Sequence, residues 1–95
     1  MIEIDTALNL LKLDLGITHN LRDEYYYSML QGANKELERK GITIDLNSMD
    51  DQMLLSDYTA YNYRNRSLNV PLSANLQLRI RNRIVRQRSV IDATT

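Results

Sequence analysis

Leu21, Tyr25, Met29, Ala33 and Leu37 fall four residues apart, with Tyr26 and Leu30 widening the row. Apolar side chains at that spacing share one face of an α-helix, so the row predicts an amphipathic helix over Leu21–Lys40. The flanks agree. His19 or Asn20 precedes the row, Asp23 and Glu24 occupy the first turn, and Arg39, Lys40 and Gly41 close it. That order suits the helix dipole at both ends. Gly32, in the middle, costs about 1 kcal/mol relative to Ala. It either permits a close helix crossing or is simply tolerated.

The rest of the chain reads the same way. Ile4, Leu8, Leu11 and Leu15 form a first stripe, with Asp5 or Thr6 at its start and Gly16 at its end. Leu10 and Leu13 lie off that stripe, so this helix is apolar on more than one side. Residues 41–49 form a linker in which Ile42, Ile44 and Leu46 alternate, a pattern that permits a short extended stretch. Ser48 opens an imperfect capping box, because Asp51 stands where Glu or Gln is usual. A third helix is expected from Met49 to about Arg66, with Leu54, Tyr58 and Tyr61 as its stripe and as the partners of the Leu21–Leu37 row.

Asn69 and Pro71 break the pattern over Ser67–Asn75, and Ser73 is the expected cap of a fourth element, Ala74 to about Ile91. Leu76, Leu78, Ile80 and Ile84 alternate with polar residues as in a strand. As a helix, Leu76, Ile80, Ile84 and Ile91 share a stripe, flanked by Arg79, Arg83 and Arg86. Arg81 and Arg88 lie towards the back, beside a second ridge of Leu78 and Val85. Leu, Arg and Gln favour the helix, and β-branched residues are few before Ile84. Residues 92–95 are expected to fray. Four helices on short linkers imply a small all-α domain spanning 1–95.

Composition narrows the chemistry. The chain has no cysteine, which removes disulfides and thiolate metal sites. No basic-plus-apolar start suggests a secretory signal, and no apolar run approaches the ~18 residues of a membrane span. All six aromatic residues are Tyr. Tyr packs its ring at the edge of a core while keeping a hydroxyl wet, and it is also enriched where proteins meet. His19 is the only histidine, at a helix start, and reads as a surface or capping residue. Gly16, Gly32 and Gly41 are too far apart to cradle a phosphate. Asp50 and Asp51 are adjacent, so on a helix they do not face each other and read as first-turn residues. No catalytic, cofactor-binding or metal-binding residues are assigned.

The net charge of zero conceals a separation. Residues 1–63 carry eleven Asp/Glu against five Lys/Arg, a net of −6, and residues 64–95 carry seven Arg against Asp92, a net of +6. Such separation predicts directional partners: an acidic surface, nucleic acid, or the acidic end of another copy. Five arginines within residues 79–88 fit a small DNA-binding regulator whose last helix lies on the duplex, in which case binding would fall steeply with salt. The Leu78/Val85 ridge between arginine rows fits a protein interface better. The expected contact residues are Arg64, Arg66, Leu78, Arg79, Arg81, Arg83, Val85, Arg86 and Arg88. On this reading, replacing Arg79, Arg83 and Arg86 by Gln weakens partner binding and leaves the monomer folded.

The run Asp57-Tyr58-Thr59-Ala60-Tyr61-Asn62-Tyr63-Arg64-Asn65-Arg66 resembles a segment of the small head–tail connector proteins of long-tailed bacteriophages. There a helix ends in a Tyr/Arg stretch, a Pro-containing loop follows, and a helix similar to Leu76-Gln77-Leu78-Arg79-Ile80-Arg81-Asn82-Arg83-Ile84 completes the domain. A short amphipathic helix followed by a longer one also matches, so the resemblance covers roughly residues 3–91. It implies an all-helical structural subunit, not an enzyme. It further implies a ring of copies, dodecameric in the particle, beneath the portal in the virion neck after assembly in the host cytoplasm. The implied partners are the portal protein, neighbouring copies and the next neck or tail component, with non-specific contact to channel DNA. No membrane, small molecule or cofactor is implied. Because the sequence stops soon after its last helix, contacts made by an extended C-terminal arm are not expected.

Overall fold

The computed structural model describes residues 4–66, 68 and 71–94. It is all-helical, with α1 at Ile4–Leu15, α2 at Asp23–Arg39, α3 at Met49–Arg64 and α4 at Ala74–Thr94. The described residues include no strand. The contested fourth element is therefore a helix, and it runs three residues past the expected end. Asn69, one of the two expected breakers before it, lies outside the described residues, as do the side chains of Ile91 and Asp92.

Helix α3 is the centre of the fold: α1 and α2 both pack on it. Contacts between the start of α2 and the end of α3, and between Glu36 and Tyr58, make these two antiparallel. Arg64 reaches Asp14, so α1 and α3 finish at the same end. Buried Leu11, Tyr26, Leu30, Leu37, Leu54, Leu55 and Tyr58 fill the space between the three.

The face of α2 that packs is not the expected row. Leu21 precedes the helix and is 88% exposed, and Tyr25 is also exposed. The buried stripe is Tyr26, Leu30, Ala33 and Leu37, which also has helical spacing. The two stripes share Ala33 and Leu37, so periodicity alone could not choose between them. The packing decides: Tyr26 and Leu30 enter the core, whereas Tyr25 stays exposed although both tyrosine rings meet Tyr63 edge-on. On α1, likewise, Ala7 and Leu11 are fully buried while Leu8 and Leu15 are only partly so, and Leu13 is exposed.

Both α1 and α2 end in the same motif. Gly16 and Gly41 adopt φ of +74° and +101°. The next residue's N–H then bonds a carbonyl five positions back: Ile17 to Lys12 at 2.8 Å and Ile42 to Leu37 at 2.9 Å. This is the glycine-dependent Schellman turn, and Ile42 and Leu37 add its apolar contact, both buried. Gly32, by contrast, faces open space; a Cβ there would meet nothing within 4 Å. No helix crosses close at this point, and the glycine is simply tolerated.

The start of α2 also differs from expectation. Its N-cap is Arg22, with no side-chain cap. Asn20 and Asp23 instead accept hydrogen bonds from Lys12 Nζ, at 2.6 and 2.7 Å. Lys12 is nearly buried, so this clasp satisfies its ammonium and fixes the α1–α2 turn. Ser48 and Ser73 cap α3 and α4 as predicted, accepting from the N–H of Asp51 and Leu76.

Candidate interaction surface

Helix α4 docks on the body through a narrow apolar contact, Leu76 and Ile80, extended by polar clasps. The strongest clasp is Arg83 with Asp51. Nε and Nη2 donate to the two carboxylate oxygens, each at 2.8 Å. The Asp51 side chain is 2% exposed and that of Arg83 12%. Burial pushes the Asp51 carboxyl up. The Arg83 hydrogen bonds, the Asp45 N–H at 2.8 Å and the nearby arginine charges outweigh it and hold the carboxyl below its ordinary value. The same carboxylate raises the pKa of Arg83. Asp51 is thus more than the first-turn residue that its position suggests.

This clasp also explains why residues 41–46 form no strand. Arg83 Nη2 donates to the Thr43 carbonyl at 2.9 Å, and Gln87 accepts from Thr43 N and donates to the Gly41 carbonyl. Side chains of α4 and α3 satisfy the backbone groups that a strand would give to a neighbour. Ile42 meanwhile points inward and is buried.

Most of the C-terminal arginines are therefore engaged within the chain. Arg79 pairs with Asp57 at 2.8 Å and Arg64 with Asp14 at 2.9 Å. Arg86 stands 3.5 Å from Asp51 and stays largely exposed. Arg66 lies over the Tyr63 ring, 4.0 Å from its centroid, and donates to the Tyr63 carbonyl. Of the α4 arginines, Arg81 and Arg88 alone have neither an ion pair nor a hydrogen bond among the described residues.

These two lie with Leu78 and Val85 on the outer face of α4, at helical spacing, and Leu78 and Val85 are 54% and 57% exposed. Of the nine contact residues expected from sequence, the fold brings these four together. It directs Arg79 and Arg83 to the body, and Arg64 and Arg66 to the far end of α3. Beside the outer face runs a groove of about 440 Å³ with Leu72, Ile80 and Val85 in its lining and Lys40, Arg81 and Arg88 as its charges. Among the described residues no carboxylate lines it. Lys40 and Leu72 were not legible as members, because nothing in the sequence says that the end of α2 meets α4.

The tyrosines divide. Tyr26 and Tyr58 are buried, and Tyr58 donates to Glu36 at 2.7 Å. Burial first, and then Glu36, push the Tyr58 hydroxyl up to about 12. Tyr25, Tyr26 and Tyr63 stack edge to face, with Arg22 over Tyr25 at 4.4 Å.

No protein-family model, curated protein or solved structure matches this chain. Among the described residues no cluster of His, Cys, Asp or Glu could hold a metal ion, and no helix is long and apolar enough to cross a membrane. His19 is exposed, and its Nδ1 accepts from the Leu21 N–H at 3.3 Å.

Proposed function

We propose that this chain is a structural subunit of a phage head–tail connector: it forms a ring on the portal, extends the DNA channel and presents a surface to the next neck component. The supporting observation is the outer face of α4. There Arg81 and Arg88 flank an exposed Leu78/Val85 ridge, with no ion pair or hydrogen bond among the described residues. Arginine around a small apolar anchor is the composition of a protein interface. The helix order and the Tyr/Arg end of α3 followed by a Pro-containing loop are further support, with Tyr61 donating its hydroxyl to the Pro71 carbonyl.

A DNA-binding regulator ranks second. Duplex binding in this reading draws on the arginines of α4, and Arg79 and Arg83 are already paired with carboxylates. Few cations then remain to neutralise phosphates.

The deciding experiment mixes the purified chain with the portal protein encoded in the same phage genome, and measures native mass and particle shape. A closed ring seated on the portal supports the connector. Tight, sequence-dependent retention of short duplexes at near-physiological salt, with no portal binding, supports the regulator instead.

A further inference from the structure

We propose that the basic groove beside α4 receives a second copy of this chain, specifically the Met49–Asp50–Met53 ridge at the start of α3. This rests on the connector reading and names the subunit contact within it. The groove has an apolar floor of Leu72, Ile80 and Val85 and the cations Lys40, Arg81 and Arg88, with no acid in its lining among the described residues. Its complement is a surface with exposed apolar side chains and an uncommitted carboxylate. The chain carries such a surface: Met49 and Met53 are 57% and 45% exposed, and Asp50 between them is exposed, with no ion pair or hydrogen bond among the described residues. Methionine is suited to filling an irregular apolar groove.

Competing ridges fit less well. Leu21 and Tyr25 are exposed, but Leu21 lies in the turn before α2 and the Tyr25 ring is already packed edge-on against Tyr26 and Tyr63. Leu13 is exposed, but the neighbouring Asp14 is paired with Arg64.

Placement supplies the second argument. The hollow beside Asp50 and Met53 is lined on α4 by Arg79, Asn82, Arg83 and Arg86. The groove is lined on α4 by Gln77, Ile80, Arg81, Ile84, Val85 and Arg88, centred about half a turn away. At 3.6 residues per turn these two sets lie on opposite flanks of the helix. Ridge and groove thus face away from each other on one molecule. Two copies cannot satisfy both contacts across a two-fold axis. Each ridge enters the next copy's groove, a head-to-tail contact that propagates until it closes.

The chain has no cysteine, so engineered thiols report without background. Met53→Cys and Val85→Cys variants are mixed in the intact protein and oxidised. The expected product is the mixed dimer, in excess over either homodimer, and the doubly substituted chain should give a ladder of oligomers. Adding Arg81→Glu and Arg88→Glu to the Val85→Cys chain should cut the mixed product on the order of tenfold, and Asp50→Arg on the other chain should restore it. Circular dichroism confirms folding; if the double reversal unfolds the chain, Lys40→Glu replaces it. Absence of the mixed dimer, preference for the Val85→Cys homodimer, or indifference to charge reversal overturns the proposal. A ring on the portal without the mixed cross-link would overturn this pairing while leaving the connector reading in place, with the groove then open to a portal segment. The mixed cross-link without portal binding would do the reverse.

Discussion

Arg83 grips Asp51 with two parallel hydrogen bonds of 2.8 Å, and through that one pair α4 is tied both to the start of α3 and to the 41–43 backbone. Removing one partner leaves the other charge buried. Arg83→Gln should cost about 3–5 kcal/mol, the range for broken buried pairs. The double substitution Asp51→Leu/Arg83→Met should cost less than the sum of the single changes. Urea melts of the four proteins form the required cycle, and strict additivity would remove the clasp from the account. A triple Arg79/Arg83/Arg86→Gln chain should therefore lose stability as well as any partner binding. Arg83 belongs to the fold, and Arg81 with Arg88 is the pair to change when partner binding is the question.

The same carboxylate sets an acid dependence. Asp51 is held below its ordinary value when folded, so around pH 4 the unfolded chain binds more protons. The stability it contributes is present above its unfolded pKa and is lost as pH falls through the lower folded value. Thermal midpoints should decline on acidification in the parent. An Asp51→Asn chain, weaker at neutral pH, should show a shallower decline.

Tyr58 gives the alkaline counterpart. Its folded pKa of about 12 lies above the ordinary value, so its contribution is complete below about pH 10 and is lost as pH rises towards 12. Burial also raises Tyr26, so spectrophotometric titration should find more than one tyrosine ionising late, and Tyr58→Phe should remove one of those steps.

Leu54 is 4% exposed within the α1–α2–α3 core. Leu54→Ala should cost about 2–5 kcal/mol. An unchanged melting midpoint would contradict the packing.

Two glycines should respond in opposite directions. Gly32→Ala, in open space on a helix, should stabilise by about 1 kcal/mol. Gly41→Ala, at φ +101°, should destabilise by about 1–2 kcal/mol. Paired denaturant curves suffice to check both signs.

Helix number, type and approximate ends were readable from sequence because spacing, caps and terminal glycines are local signals. Gly16, Gly41, Ser48 and Ser73 each act as their positions suggest. The phase of α2 was not readable. Tyr25 and Tyr26 both continue a helical row and both rings meet Tyr63, so only the docking of α2 on α3 selects between them. Nor was the Asp51–Arg83 pair, thirty-two residues apart, since charge in a sequence carries no address. Within the candidate surface, the Leu78/Val85 ridge and its arginines followed from one helix's periodicity, whereas Lys40 and Leu72 join from other segments.

The pairing of C-terminal arginines with N-terminal carboxylates has a consequence for motion in solution. Along the sequence the two charge blocks look like the poles of a magnet. Folding brings Arg64, Arg79 and Arg83 to within 3 Å of Asp14, Asp57 and Asp51, and much of the dipole cancels inside the molecule. Beyond a screening length of about 8 Å at physiological salt, little directional field remains to steer an approaching partner. Encounter rates should then vary less with ionic strength than the charge blocks suggest, with Lys40, Arg81 and Arg88 supplying what dependence remains, while the lifetime of a complex, set by short-range contact, answers to single side chains.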